Sequence, residues 1–262
     1  MPDILQNISK LATEPFYDST SSLAGRSAVV TGASSGVGRA IALALARRGM
    51  QLCLVGRDPS RLAEAVATAR PFSEVTGFQI DLAVEEDFQP LFRHLEKESG
   101  RLDVLIHSAG SIHLDPMERS SIQDLDIQYM TNVRAPYLMT QRLLPLLETA
   151  RGQIVFINSS VALATKRSEV GQYSATKCAL RAIADSLREE VNPKGIRVLT
   201  LYLGRTATPM QEALYRQEGM AYHPELLLQP EDVASVVIQT LLLPPTAEVT
   251  DITIRPMQKS YK

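Results

Sequence analysis

Seven short apolar runs, each separated from the next by a longer stretch of helical character, restrict this chain to few architectures. Residues 28–30, 51–55, 75–80, 104–106, 153–157, 196–202 and 249–254 read as strands. Residues 39–48, 59–70, 85–99, 122–149, 171–191 and 230–243 read as helices, the fourth interrupted by Pro136. Asp58 stands where an N-cap belongs, with Pro59 at the first helical position. The strands are apolar nearly throughout, with little of the apolar–polar alternation of a one-sided sheet. Strands covered on both faces have that composition. Strand–helix alternation with right-handed crossovers then predicts one fold class: α/β, a doubly wound, seven-stranded parallel sheet with helices on both faces. Ligands of such sheets bind at the carboxyl ends of the strands.

Composition narrows the function classes. A length of 262 residues suits one domain of ordinary size, and 45% hydrophobic with 21% charged residues excludes a disordered chain. A net charge of -2 and a pI near 6.1 leave no basic field for nucleic acid or a membrane surface. No run is long enough to span a bilayer, and no secretory signal pattern is present. Cys53 and Cys178 show neither metal-ligand nor disulfide-scaffold spacing, so reduced thiols in the cytoplasm are expected. Residues 1–24, with Pro2, Pro15 and a Ser/Thr cluster, read as an N-terminal extension holding a candidate short helix at 4–11. Residues 25–262 read as the catalytic domain, with 205–230 as a lid.

The first predicted strand runs into Thr31-Gly32-Ala33-Ser34-Ser35-Gly36-Val37-Gly38 and then a helix. In that context Gly32 serves the tight turn, Gly36 lets backbone approach a pyrophosphate, and Gly38 lets helix and strand pack. The helix N-terminus offers free N–H groups to phosphate. A P-loop is excluded, because no Gly-Lys-Ser/Thr opens the helix. The second strand ends in Val55-Gly56-Arg57-Asp58. An acid that bonds a ribose 2′-hydroxyl usually stands here. Gly56 and Arg57 instead leave room and charge for a 2′-phosphate, which favours NADP(H) over NAD(H). Ser35 adds a hydroxyl, and Asp58 is expected to cap the following helix.

Tyr173 and Lys177 stand four apart in a helical stretch and therefore share one face. A neighbouring ammonium favours a phenolate and is expected to draw the Tyr173 pKa down from about 10. Such a Tyr exchanges a proton with a carbonyl or alcohol oxygen.

Thr31-Gly32 to Gly38, His107-Ser108-Ala109-Gly110, Asn132, Ser159-Ser160, Tyr173/Lys177 and Leu203-Gly204 together resemble the short-chain dehydrogenase/reductase superfamily, over roughly residues 24–245 and in both order and spacing. The resemblance implies a Rossmann-like domain that moves a hydride between NADP(H) and a carbonyl or alcohol. It implies Tyr173 as acid/base and Lys177 as a ligand of the nicotinamide ribose that lowers the Tyr pKa. Asn132 would help hold a relay water. Ser159 would hold the substrate oxygen, with Ser160 as the alternative, because with Ser159 the loop to Tyr173 carries one extra residue. Gly32, Ser34, Ser35, Gly36, Val37, Gly38, Arg57, Asp81, Leu82, Ala109, Gly110, Tyr173, Lys177, Gly204, Thr206 and Thr208 would contact cofactor. Asp81 and Leu82 would lie at adenine and Thr208 at the carboxamide.

Two motifs depart from the family. Its Asn-Asn-Ala-Gly reads His107-Ser108-Ala109-Gly110, where Ser108 has the shorter reach and His107 is expected to be structural. Its Pro-Gly reads Leu203-Gly204, a looser turn. Met210, Leu214, Tyr215, Met220 and Tyr222 in the lid favour a medium-sized, largely apolar alcohol or ketone. The long helices predict a homodimer or homotetramer. No nucleic acid, membrane or metal is expected as a partner. The competing reading is a non-catalytic NADP-binding regulator; an epimerase or dehydratase would call for a larger C-terminal substrate domain.

Overall fold

The computed structural model describes residues 22–98, 100–163 and 168–258, so the candidate helix at 4–11 lies outside the described residues. β1 (Ser27–Thr31), α1 (Gly36–Ala46), β2 (Gln51–Gly56), α2 (Pro59–Ala69) and β3 (Val75–Gln79) form the first half. α3 (Gln89–Glu98), β4 (Val104–His107), α4 (Ile122–Tyr129), α5 (Ala135–Ala150) and β5 (Gln153–Ser159) follow. α6 (Gly171–Val191), β6 (Arg197–Leu203), α7 (Pro209–Gln217), α8 (Pro230–Leu241) and β7 (Asp251–Ile254) complete it. The seven strands form one sheet in the order β3-β2-β1-β4-β5-β6-β7, parallel throughout. The winding direction reverses between β1 and β4. At that reversal the crossovers leave on opposite faces and a crevice opens at the carboxyl ends.

The apolar strands are explained by two cores. Val30, Leu54, Ile106, Val155 and Leu201 face a layer containing α1, α2 and α8. Their neighbours Val29, Val55, Leu105, Ile154 and Val198 face a layer containing α3, α5 and α6. Alternate side chains point to opposite faces, and both faces of the central strands are dry, so these strands are mostly apolar, whereas the edge strands β3 and β7 alternate with positions open to solvent. Each buried Val, Leu or Ile contributes about 1.5–3 kcal/mol, which makes this double layer the main source of stability.

Two expectations are corrected. The single helix over 122–149 is split by a π-turn, Met130–Arg134, between α4 and α5. Pro136, at the second position of α5, has no N–H to return to the Asn132 carbonyl four residues back, so a regular helix is not continued there. The segment 205–230, expected as a lid, is not a plain loop. It carries α7, capped by the Thr208 hydroxyl accepting from the Gln211 N–H at 3.2 Å and started by Pro209. Among the described residues no helix is long and apolar enough to cross a membrane.

Candidate active site

A cleft of about 1150 Å³ crosses the carboxyl ends of the strands. It is lined by Gly32, Ser34, Ser35, Gly36, Val37 and Gly38 from the first turn and by Arg57 after β2. Asp81, Leu82, Ala109, Gly110, Ser159, Ser160, Tyr173, Lys177, Gly204, Thr206 and Thr208 also line it. The fold thus gathers all of these sequence-predicted positions. Asn132 lies just behind the wall, fully buried.

The glycine turn is shaped by close approach. Gly32 has φ +66°, and a Cβ there would lie 2.8 Å from the Ala109 Cα. A Cβ on Gly38 would lie 2.4 Å from the Gly32 carbonyl oxygen. No side chain fits at either place, so backbone itself forms the floor. Thr31 ties this turn to the neighbouring strand: its Oγ1 accepts from the N–H groups of Ser108 at 3.0 Å and Ala109 at 3.2 Å. The exposed peptide groups at the start of α1 and the Arg57 side chain suit a phosphorylated dinucleotide. Asp58 is engaged as expected: its Oδ1 accepts from the N–H groups of Ser60 and Arg61, each at 3.0 Å. Arg61, unforeseen from the sequence, lines the cleft and stands 3.7 Å from Asp58. Its distance of one helical turn from the cap was the available signal.

The reactive half is built on β5 and α6. Ser159 closes β5, and its side chain hydrogen-bonds the Tyr173 side chain. Ser159 also accepts from the Val161 N–H at 3.3 Å. Ser160 lines the cleft one step further along. Lys177 is buried; its Nζ donates to the Ile157 carbonyl at 3.3 Å and lies 5.9 Å from the Tyr173 ring centre. Asn132 is held by three bonds. Its Oδ1 accepts from Ser111 N at 2.8 Å, and its Nδ2 donates to Ser111 O at 2.8 Å and Thr176 Oγ1 at 3.0 Å. Thr176 in turn donates to the Tyr173 carbonyl at 2.9 Å. Asn158 was missed in the sequence. It fixes α6 to β5 by donating to the Lys177 carbonyl at 3.1 Å, while its Oδ1 accepts from Ser159 N at 2.8 Å.

The electrostatics correct one expectation. Burial pushes the Tyr173 phenol up to about 12, against the opposing hydrogen bond from Ser159. Burial brings Lys177 down to about 8. Withdrawal from water penalises the charged phenolate and outweighs the hydrogen bond that favours it. At neutral pH the pair is therefore a phenol and an ammonium, a donor arrangement. His107 does not line the cleft. It is buried, stacks on Phe156 at 4.9 Å between ring centres, and shares a 2.9 Å hydrogen bond with Thr140. Burial pushes it down to about 3, so it is a neutral packing residue.

The lid forms the remaining wall with Met210, Leu214 and Met220, facing Leu114 and Ile127. Gln217 Nε2 donates to the Leu114 carbonyl at 2.7 Å and joins α7 to the loop after β4. Arg205 and Glu218 pair at 2.9 Å, with the guanidinium 4.7 Å over the Tyr215 ring.

The family model for short chain dehydrogenases matches residues 26–219. An uncharacterized oxidoreductase of Staphylococcus epidermidis is 31% identical over 88% of this chain and 96% of its own length. Another from Staphylococcus saprophyticus is 30% identical over 88% and 97%. Among solved structures, an alcohol dehydrogenase from the archaeon Thermococcus sibiricus, complexed with 5-hydroxy-NADP, superimposes with a TM-score of 0.81. It shares 26% identity over 90% of this chain and 99% of that one. L-Sorbose reductase from Gluconobacter frateurii, complexed with NADPH and L-sorbose, gives 0.79 at 25% identity over 88% and 95%. A strand-ending glycine turn, a serine–tyrosine contact with a buried lysine behind it, and these matches lead to one conclusion: the chain belongs to the short-chain dehydrogenase family.

Proposed function

We propose that this protein is an oxidoreductase that transfers a hydride between NADP(H) and a carbonyl or alcohol substrate, with Tyr173 as the acid/base. The observation that carries the reading is the opening of the glycine turn and the Ser159–Tyr173 contact onto one continuous cleft. The bound nicotinamide would supply or accept the hydride. Arg57 would hold the 2′-phosphate, with Asp58 removed from competition by its two backbone bonds. The NADP complexes among the matched structures support the same cofactor. Ser159 would position the substrate oxygen beside the Tyr173 hydroxyl, and is preferred to Ser160 because it bonds Tyr173. In the reducing direction Tyr173 donates its proton to that oxygen. The buried Lys177 ammonium would stabilise the resulting phenolate and orient the ribose. The Asn132 carbonyl, deprived of its helical donor by Pro136, would receive a water that returns the proton from solvent.

A cytoplasmic homodimer or homotetramer fits the family and the exposed apolar residues Tyr129 and Tyr137 on α4 and α5. Light scattering that returned a monomer at micromolar concentration would remove the oligomer from this proposal. The function itself is tested by a turnover screen of ketones and alcohols with NADPH, NADP, NADH and NAD. Turnover is expected with the phosphorylated pair. In Arg57→Asp the NADPH reaction should lose far more than the NADH reaction. Absence of turnover across the screen, with NADPH bound, would instead favour the regulator reading.

A further inference from the structure

The cleft runs across the ends of the strands, so the sheet order serves as a ruler for what each part of it meets. Neighbouring strands lie about 4.8 Å apart. The glycine turn follows β1, Arg57 follows β2, and Ser159 ends β5. Arg255 follows β7 directly and lines the same cleft. In the observed order β7 is five strand spacings from β2, roughly 24 Å, and four from β1, roughly 19 Å. From β5 it is two spacings, roughly 10 Å. The register makes that step direct, since Ser159 pairs with Leu203 and Leu203 with Ile254. An extended arginine side chain covers much of this last distance. Arg255 is therefore out of range of the cofactor's phosphates as proposed above, and within range of a group attached to the reacting carbonyl.

The charge balance of the cleft points the same way. Its acidic side chains are Asp58, Asp81 and Glu218. Asp58 accepts two backbone N–H groups at the start of α2, and Asp81 accepts from Ala83 N at 3.0 Å. Glu218 is held by Arg205 at 2.9 Å. Arg255 makes no ion pair among the described residues, and its side chain is exposed. Gly204 leaves it room at the cleft floor: a Cβ on Gly204 would lie 3.1 Å from the Arg255 Cα. The substrate half of the cleft thus combines apolar residues of 205–230 with an exposed arginine at its far end.

Resting on the oxidoreductase reading, we propose that the substrate is an oxo acid or hydroxy acid whose carboxylate is bound by Arg255. A guanidinium presents two parallel N–H donors to a carboxylate, a match that neither Met210 nor Leu214 offers to a neutral ketone. The lid then packs the carbon chain between the two polar ends. This refines the largely apolar substrate expected from the lid composition: apolar along its length, anionic at one end.

The test compares oxo acids of increasing chain length with their methyl esters, which keep the carbonyl and lose the charge. Initial rates are measured with NADPH for the unaltered protein, Arg255→Gln and Arg255→Lys. The acid should exceed the ester in kcat/KM by roughly ten- to hundredfold, the scale of a charge-assisted hydrogen bond. Arg255→Gln should bring that ratio close to one, mainly through KM, and Arg255→Lys should retain part of it. Equal turnover of acid and ester by the unaltered protein overturns the inference whether or not the variants fold. So does a ratio that survives in Arg255→Gln. Turnover of neutral ketones with no preference for acids leaves the oxidoreductase reading standing and removes only the carboxylate. No turnover of any oxo compound removes both.

Discussion

At the scale of single residues, position relative to the cleft separates buried titratable groups that can meet a ligand from those that only pack. Tyr173 and Lys177 are withdrawn from water but face the cleft, so their displaced pKa values act on whatever binds there. His107 is withdrawn just as far but stacks on Phe156 and hydrogen-bonds Thr140 outside the cleft. Its displaced pKa bears on stability. The folded protein holds His107 neutral down to about pH 3, whereas an unfolded chain takes up the proton near pH 6.5. Between those values the unfolded state binds more protons, so stability falls as the pH falls. Replacing the imidazole removes that contribution. His107→Leu should show a shallower decline of Tm from about pH 6.5 to 4 than the unaltered protein, even where its Tm at pH 7 is lower. Parallel declines would show that His107 protonates without cost in the fold.

The elements differ in how firmly they are held. α5 buries Ala135, Pro136, Met139, Thr140, Leu143 and Leu147, whereas α7 in the lid buries only Leu214 and Tyr215. At about 1.5–3 kcal/mol for a buried large apolar side chain, the lid is the weaker attachment, supplemented by the Arg205–Glu218 pair and the Gln217–Leu114 bond. α7 is therefore expected to open locally more readily than the central helices and strands, as a lid in the proposed function would. The junction of β1 and α1 is the opposite case. Gly38→Ala should push α1 away from the turn, because the added carbon meets the Gly32 carbonyl rather than a movable side chain. A loss of about 1–3 kcal/mol in urea unfolding is expected, together with weakened NADPH binding. Unchanged values in both measurements would contradict the close packing of this turn.

The same elements show what the sequence reveals and what it conceals. Strand runs such as 52–55 were legible because two-sided burial leaves an unbroken apolar signature. Tyr173 and Lys177 were legible because four residues make one helical turn. The π-turn at Met130–Arg134 was hidden inside a continuous helical pattern, with Pro136 as its only mark. α7 was overlooked although Thr208, Pro209 and Glu212 carry the signals of a helix start. Asn158 and the place of Arg255 in the cleft could not be singled out, since both depend on the strands that lie beside them in the sheet.

For the whole molecule, the parallel sheet supplies a rigid row of strand ends, and function is distributed along it. In the proposed function, phosphate recognition would belong to β1 and β2, proton transfer to β5 and α6, and substrate selection to residues 205–230 and β7. This division means that binding and chemistry are separable by substitution. Tyr173→Phe is the most direct measurement, because it removes one hydroxyl and leaves the ring, the glycine turn and Arg57 in place. NADPH affinity followed by fluorescence should remain near that of the unaltered protein, while turnover of a reducible substrate should fall by at least about a hundredfold. Turnover close to that of the unaltered protein, with NADPH bound, would contradict Tyr173 as the proton donor and with it the mechanism proposed for this cleft.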